Sequence, residues 1–107
     1  MDKDMALRRF AAVYARWSGC FPPFRTPPRF VILRPGARAR LRRGEVPLRL
    51  APSMVYGTGT NPITASVLER LPELVGELDV ARARVLDLGT GSGVLAIACA
   101  RLGVRHV

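Results

Sequence analysis

The sequence has few of the residues that support metal or disulfide chemistry. Its 107 residues include two cysteines and a single histidine, His106, which lies next to the last residue. Cys20 and Cys99 are far apart, and neither has another cysteine or a histidine at metal-ligand spacing. We therefore expect reduced cysteines, with no disulfide and no metal site.

Long apolar runs are also missing. The longest, Val94 to Ala100, has seven residues, whereas a membrane-spanning helix needs about 20. The N-terminus has no long apolar stretch after its basic residues, which a secretory signal would have. We therefore predict a cytoplasmic protein with no membrane partner. The length allows at most one modest core, which excludes two complete domains.

Positive charge is concentrated in the first half of the chain. Residues 1–50 have eleven arginines and Lys3 against three acidic residues, whereas residues 51–107 have five arginines against five acidic residues. Such a basic half can bind RNA or an acidic protein face through phosphate or carboxylate contacts. A coding bias toward arginine would give the same excess, because sixteen of the 17 basic residues are arginine. RNA contact through this half is therefore an open alternative.

The N-terminal half predicts a helix, a linker and a basic β-hairpin. Apolar residues between Leu7 and Trp17 recur at three- and four-residue spacings, which indicates an amphipathic helix within residues 1–18. The prolines of residues 19–28 predict an extended linker. Residues 30–33 and 46–50 predict two strands that pair across an arginine-rich loop, with Pro47 marking an edge strand. Linker and hairpin together occupy residues 19–52.

The C-terminal half predicts the opening unit of a parallel α/β sheet. Asn61-Pro62 indicates the start of a helix, which Pro72 is expected to end or kink. An apolar strand over residues 84–88 leads through a glycine-rich turn into an apolar helix over residues 94–102, with Gly103 as its C-cap. Residues 105–107 would begin another strand. The buried face expected for the first of these helices is Val67, Leu68, Leu71, Leu74 and Val75.

Strand, glycine turn, helix and strand form a βαβ unit. This pattern predicts an α/β fold in which residues 53–107 are the start of a Rossmann-like, doubly wound sheet. Parallel strands have to be covered on both faces. We therefore expect the chain to be incomplete at its C-terminus.

The glycine-rich turn is the strongest functional signal in the sequence. Residues 85–93 read Val-Leu-Asp-Leu-Gly-Thr-Gly-Ser-Gly, and turns from a parallel strand into a helix are where open α/β sheets bind ligands. The dinucleotide fingerprint needs a glycine where Val94 stands. A phosphate-binding loop needs a lysine, and none follows Lys3. The alternative is that this segment is a glycine-rich turn from a strand into a helix in another Rossmann-like protein, with no cofactor defined by its spacing.

The spacing Asp87-x-Gly89-x-Gly91-x-Gly93 resembles the first motif of class I S-adenosylmethionine-dependent methyltransferases. By that resemblance, Gly89 and Gly91 let the backbone lie against the methionine and ribose of the cofactor. Asp87 would anchor the loop or the methionine ammonium. This cofactor has a sulfonium, an amine and a carboxylate but no phosphate. A protein carboxylate near the amine and helix amides near the carboxylate are therefore complementary to it.

A second segment narrows the resemblance. Residues 50–64, Leu-Ala-Pro-Ser-Met-Val-Tyr-Gly-Thr-Gly-Thr-Asn-Pro-Ile-Thr, are similar to a segment of the PrmA-type enzymes, which methylate large-subunit ribosomal protein eleven. Thr64 matches a cofactor contact of that family, and Thr58 and Thr60 match threonines that close over the methionine end. Asn61 stands where the family has a titratable histidine. The resemblance implies that S-adenosyl-L-methionine contacts Thr58, Thr60, Thr64, Asp87, Gly89, Thr90, Gly91 and Gly93.

The resemblance further implies a protein methyltransferase that N-methylates lysine or N-terminal amines of a ribosomal protein. Two alternatives stay open. Residues 86–93 also resemble the release-factor glutamine methyltransferases, which favours a glutamine or small-molecule methyltransferase, and the basic half alone would suit a non-catalytic ribosome- or RNA-binding module. We assign no catalytic residue, because the later acidic and substrate motifs of class I enzymes would lie after Val107. We therefore expect the 107-residue chain alone to be inactive and to bind the cofactor poorly.

Overall fold

A computed structural model describes residues 2–9, 23–50 and 62–107. Its elements are α1 (residues 3–9), β1 (Phe24–Thr26), β2 (Phe30–Leu33), β3 (Val46–Arg49), α2 (Pro62–Gly76) and α3 (Val94–Arg101). This mixed composition confirms an α/β protein, while the Rossmann-like assignment and the division into three segments stay predictions. In the described ranges, no helix is long and apolar enough to cross a membrane.

α1 is the described part of the predicted N-terminal helix. It exposes its two large apolar side chains, because Met5 is 49% and Leu7 63% exposed. The remaining residues of the predicted apolar face, Phe10 to Trp17, lie outside the described residues. The amphipathic packing of this helix therefore stays a prediction.

The strands form one sheet in the order β1-β2-β3. β1 and β2 are antiparallel, with Arg25 opposite Val31, and residues 27–29 turn the chain between them. β2 and β3 are parallel, with Val31 opposite Pro47 and Ile32 opposite Leu48. Pro47 thus lies on an edge strand, as predicted, where the lack of an amide proton is tolerated.

The predicted hairpin between residues 30–33 and 46–50 is wrong. These strands run parallel, and the antiparallel partner of β2 is β1, a segment that the prolines assign to the linker. A parallel pair needs a connection of about a dozen residues or more, and residues 34–45 supply it. Alternating apolar residues indicate a strand but carry no information about its direction, so the sequence could not distinguish the two pairings.

β2 is buried on both of its faces. Phe30 and Ile32 point to one face, and Val31 and Leu33 point to the other, because side chains alternate along a strand. All four are at most 5% exposed. The first face joins the main core, whose buried members are Phe30, Ile32, Leu48, Leu50, Leu68, Val94 and Ala98.

α2 and α3 pack against each other and run in the same direction. Leu68 in the middle of α2 and Val94 at the start of α3 belong to the main core. Val75 near the end of α2 belongs to a second cluster with Cys99 and Val104. The N-terminal ends of both helices therefore lie at the same end of the molecule.

Pro72 was expected to end or kink α2. It does not end the helix, which continues to Gly76. An internal proline costs a helix about 3 kcal/mol. Leu68 and Val75 are buried on either side of it, and burial of each such side chain contributes roughly 1.5–3 kcal/mol. The flanking burial can therefore offset the proline. The predicted buried face is only partly confirmed, because Val67 and Leu74 are 38% and 48% exposed.

The strand predicted over residues 84–88 is reduced to one bridge. Arg84 pairs in parallel with His106, and the Val85 amide donates to the His106 carbonyl at 2.8 Å. This is the strand direction that a βαβ unit requires. A regular strand over residues 84–88 is nevertheless a wrong prediction for this chain, and Leu86 and Leu88 are 84% and 89% exposed. A strand needs a continuous ladder of neighbours, and the described residues give this segment a single pair.

The end of α3 confirms the predicted glycine cap. Gly103 has a φ of +106°, and its amide donates to the Ala100 carbonyl at 3.1 Å. The Val104 amide donates to the Cys99 carbonyl at 3.1 Å. These two bonds form a Schellman motif, which satisfies the last carbonyls of the helix. The motif turns the chain back toward the bridge at His106.

Candidate functional site

In the glycine-rich loop, every second residue has a left-handed backbone conformation. Gly89, Gly91 and Gly93 have φ values of +70°, +59° and +81°. Only glycine adopts this region without a steric cost, and no other residue type does so in the described part of the chain. The backbone path of the loop therefore requires the glycine spacing seen in the sequence.

Asp87 and Thr90 are joined across this loop. The Thr90 hydroxyl donates to Asp87 Oδ2 at 2.8 Å, and the Gly93 amide donates to the Thr90 carbonyl at 3.0 Å. Asp87 thus anchors the loop, as one of its two expected roles requires. Its other carboxylate oxygen, Oδ1, accepts no hydrogen bond from another described residue, so it can accept one from a ligand.

The backbone at Gly89 borders open space. A Cβ placed there would meet no described atom within 4 Å. At Gly93, by contrast, a Cβ would lie 3.8 Å from Ile97 Cδ1 and 3.9 Å from Thr90 Oγ1. A ligand can therefore approach the backbone more closely at Gly89 than at Gly93 without displacing a described neighbour.

The start of α3 offers hydrogen-bond donors beside the loop. Gly93 is the N-cap and supplies no side-chain acceptor, while the Val94 amide donates to Ser92 Oγ at 3.4 Å. The first amides of a helix have no partner within the helix, and they carry its positive end. A ligand carboxylate placed here would be stabilised.

Thr64 lies near the same end of the molecule. It is partly buried in the first turn of α2, one helical turn before Leu68, which shares the main core with Val94. The cofactor role of Thr64 stays a prediction. Thr58, Thr60 and Asn61 lie outside the described residues, so their cofactor and capping roles stay predictions.

Cys99 is a buried thiol whose pKa is affected by the charge of Asp87. The thiol is free and buried, and burial raises its pKa. The negative charge of Asp87 raises it further. A thiol held neutral in this way is a small core side chain rather than a nucleophile. Within the described ranges, no group of three or more His, Cys, Asp or Glu side chains could hold a metal ion.

The sequence also matches a known family. The model of the family described as ribosomal protein L11 methyltransferase (PrmA) matches residues 12–107. The chain is 40% identical to the ribosomal protein L11 methyltransferase of Symbiobacterium thermophilum over 91 residues, which are 85% of this chain and 29% of that protein.

Two further relatives with the same name give similar results. The protein of Deinococcus radiodurans is 45% identical over 78 residues, 73% of this chain and 27% of the relative. The protein of Geobacter sulfurreducens is 53% identical over 64 residues, 60% of this chain and 20% of the relative. The chain thus spans less than a third of the length of these relatives.

The matched residues include the loop from Asp87 to Gly93, whose glycine geometry and anchored carboxylate the structure describes. The relatives are all named as methyltransferases, and this agrees with the resemblance in the sequence. The chain belongs to the ribosomal protein L11 methyltransferase (PrmA) family, which is a family of enzymes.

Proposed function

We propose that this chain supplies part of an S-adenosyl-L-methionine site in an enzyme that methylates a ribosomal protein. The observation that carries the proposal is the loop from Asp87 to Gly93, with its left-handed glycines and its carboxylate anchored by Thr90. The names of the relatives support ribosomal protein L11 as the substrate. Lysine or N-terminal amines as the methylated groups, and a cytoplasmic location, remain parts of this proposal.

The residues present fit the charged end of the cofactor. Asp87 would accept a hydrogen bond from the amine through Oδ1, while Oδ2 stays bound to Thr90. The first amides of α3 would face the carboxylate, where the positive end of the helix stabilises an anion. Gly89 would leave room for the cofactor to lie against the backbone.

The cofactor, when bound, supplies a methyl group activated by the positive sulfur. The role of this chain is to position it, because transfer of a methyl group to a neutral amine depends chiefly on alignment. Thr64 would contribute from the first turn of α2.

The family match weakens both alternatives. The relatives carry the name of a ribosomal-protein enzyme, which argues against a glutamine or small-molecule substrate. It also argues against a purely non-catalytic module. A basic surface is compatible with an enzyme and does not require a separate function.

Amide chemical-shift mapping tests the cofactor assignment. We expect millimolar S-adenosyl-L-methionine to shift the amides of residues 87–93 in the 107-residue chain, and NAD at the same concentration to leave them unshifted. We expect affinity weaker than micromolar for the chain alone. Shifts confined to other regions would contradict the assignment, and micromolar affinity would contradict the expectation of poor binding.

Substitution of Asp87 tests its role in binding the amine. Asp87→Asn keeps an acceptor for Thr90 but removes the negative charge, so we expect S-adenosyl-L-methionine to bind about tenfold more weakly, equivalent to about 1.4 kcal/mol. Glu77→Gln is the matched control, because it removes one exposed carboxylate near the end of α2. An equal loss in both variants would indicate a general effect of charge and would contradict the assigned contact.

Methylation of the substrate can be measured directly. Because the 107-residue chain alone is expected to be inactive, a longer protein that contains this chain would be incubated with S-adenosyl-L-methionine and purified ribosomal protein L11, and the product analysed by mass spectrometry with peptide mapping. We expect methyl groups on lysine or N-terminal amines. Methylation of glutamine instead would support the first alternative.

A further inference from the structure

The connection between β2 and β3, residues 34–45, carries a basic surface that the cofactor site does not use. It includes five exposed arginines, which we call the projecting arginines. Glu45 is its only acidic residue. The projecting arginines are Arg34, Arg38, Arg40, Arg42 and Arg43.

Arg25 on β1 and Glu45 hold one side of this connection. Arg25 Nε donates to Glu45 Oε1 at 2.7 Å, and its Nη2 donates to the Arg40 carbonyl at 2.9 Å. The Arg42 amide donates to Glu45 Oε2 at 2.7 Å. The Glu45 carboxylate is thus already bound by Arg25 and by the Arg42 amide. It forms no ion pair with the guanidinium groups of the projecting arginines.

Arg29, in the turn between β1 and β2, and Arg49, on β3, hold the rest of the connection. Arg29 Nε donates to the Gly44 carbonyl at 3.2 Å, and Arg49 Nη1 donates to the Ala37 carbonyl at 2.8 Å. Together with Arg25, these side chains fasten the connection to the strands. The backbone that carries the projecting arginines is therefore fixed by the fold.

The projecting arginines differ from these anchors. Within residues 2–9, 23–50 and 62–107, none of their guanidinium groups makes an ion pair or a side-chain hydrogen bond. A guanidinium presents a planar set of donors that matches a phosphate group. Five guanidinium groups lie within ten consecutive residues, and the carboxylate of Glu45 is already bound. These residues therefore form a positively charged surface.

We infer that this connection binds the phosphate backbone of RNA. The centre of a protein interface is enriched in aromatic and apolar residues, but residues 34–45 contain no aromatic residue, and Leu41, 42% exposed, is their only exposed large apolar side chain. The lack of an aromatic residue also removes a platform for stacked bases. The contact is therefore with phosphates and is independent of base sequence.

The choice of RNA over other polyanions rests on the proposed function, because a ribosomal-protein substrate brings the enzyme close to RNA. The surface would then increase the time that the enzyme spends near its substrate. This role needs neither the cofactor nor the loop at residues 87–93. The two proposals can therefore fail separately.

Two triple variants of equal charge test the inference. The first carries Arg38→Gln, Arg40→Gln and Arg43→Gln, and the second, a control on the helical half, carries Arg70→Gln, Arg82→Gln and Arg101→Gln. Binding of a fluorescein-labelled RNA hairpin would be followed by anisotropy over a range of salt concentrations, without cofactor. Unfolding curves would establish that both variants fold.

We expect the first triple variant to bind RNA at least about tenfold more weakly and to lower the salt slope by about three, one for each lost phosphate contact. The control should retain most of the affinity. Equal losses in both variants, no RNA binding by the parent at low salt, or tighter binding of a polyglutamate peptide or of phosphatidylserine vesicles than of RNA would overturn the inference. An unchanged S-adenosyl-L-methionine titration in the first variant would separate this result from the proposed function.

Discussion

β2 and the segment of residues 84–88 are both predicted from the sequence as short apolar strands, but they have different environments. β2 pairs on both sides, and each of its residues is buried. The segment of residues 84–88 makes one bridge, and two of its leucines are more than four-fifths exposed. Apolar composition therefore does not decide whether a stretch is a strand. The neighbours that supply a ladder and a covering layer decide it.

The two regions also have different roles, because one forms the core and the other leads into the candidate site. The buried sheet and the two helices make the core, and the exposed segment leads directly into the loop that carries Asp87. Open backbone and exposed side chains beside Gly89 suit a ligand site, whereas the same exposure in β2 would remove the core.

The largest expected effect comes from making the same substitution in both regions. Leu48 is fully buried in β3, whereas Leu88 is 89% exposed. We expect Leu48→Ala to lower the free energy of unfolding by about 2–5 kcal/mol through the lost contacts and the cavity. Leu88→Ala should change it by about 0.5 kcal/mol or less. Denaturant unfolding measures both values.

If Leu48→Ala prevents folding, Ile32→Val gives a milder test. It removes one methyl group from the same core and should cost about 0.5–1.5 kcal/mol. Equal effects of Leu48→Ala and Leu88→Ala would show that the two regions are equally covered, contrary to the described fold.

A smaller effect is expected at the turn that brings the chain to its bridge with Arg84. Gly103 has a φ of +106°, and a Cβ there would lie 3.7 Å from Val80 Cγ2, which is ordinary contact. The cost of Gly103→Ala is therefore in the backbone, about 1–2 kcal/mol. Gly76→Ala is the control, because Gly76 is helical with nothing near its Cβ position. It should stabilise the fold by about 0.4–1 kcal/mol.

The free energies of unfolding of these two glycine variants should change in opposite directions. A stabilising Gly103→Ala would mean that the turn does not hold its left-handed conformation. The amide of Val85, which donates to the His106 carbonyl, would then also exchange rapidly with solvent, and hydrogen exchange can detect this.

The smallest effect concerns the ion pair that fastens the buried sheet. The side-chain hydrogen bond from Arg25 lowers the pKa of Glu45, and the Arg42 amide lowers it further. A carboxylate with a lower pKa in the folded state stabilises the fold above its ordinary pKa, and this contribution is lost as the pH falls through the folded value. Glu45→Gln should therefore lower stability slightly at pH 7 and lose this difference in acid.

Unfolding curves at neutral and acidic pH measure the Glu45 effect. Glu77→Gln is again the control, since Glu77 makes no side-chain hydrogen bond or ion pair with another described residue. A difference between Glu45→Gln and the parent that stays constant down to strong acid would contradict the assigned ion pair.

The sequence predicts the local features of this fold well. Pro62 begins α2, Gly103 ends α3, and the glycines expected to form a tight turn have left-handed φ values. Each of these features depends on the conformational limits of one residue and its immediate neighbours. The same limits made Asp87 and the loop glycines recognisable as a candidate site.

Features that depend on distant residues were not predictable in the same way. The antiparallel partner of β2 is β1, whose prolines indicate a linker, and β3 runs parallel to β2 rather than back along it. The distinction between anchoring and projecting arginines likewise depends on which carbonyls and which carboxylate lie within reach after folding. No periodicity along the chain contains that information.

One pair of glycines tests the cofactor site most directly. Gly89 and Gly36 have φ values of +70° and +77°, and a Cβ at either position would meet no described atom within 4 Å. Gly89→Ala and Gly36→Ala thus have the same backbone cost, but only Gly89 borders the proposed site. In chemical-shift titrations with S-adenosyl-L-methionine, we expect Gly89→Ala to weaken binding by about tenfold or more and Gly36→Ala to leave it unchanged. Equal affinities for the two variants would contradict the assignment of this loop.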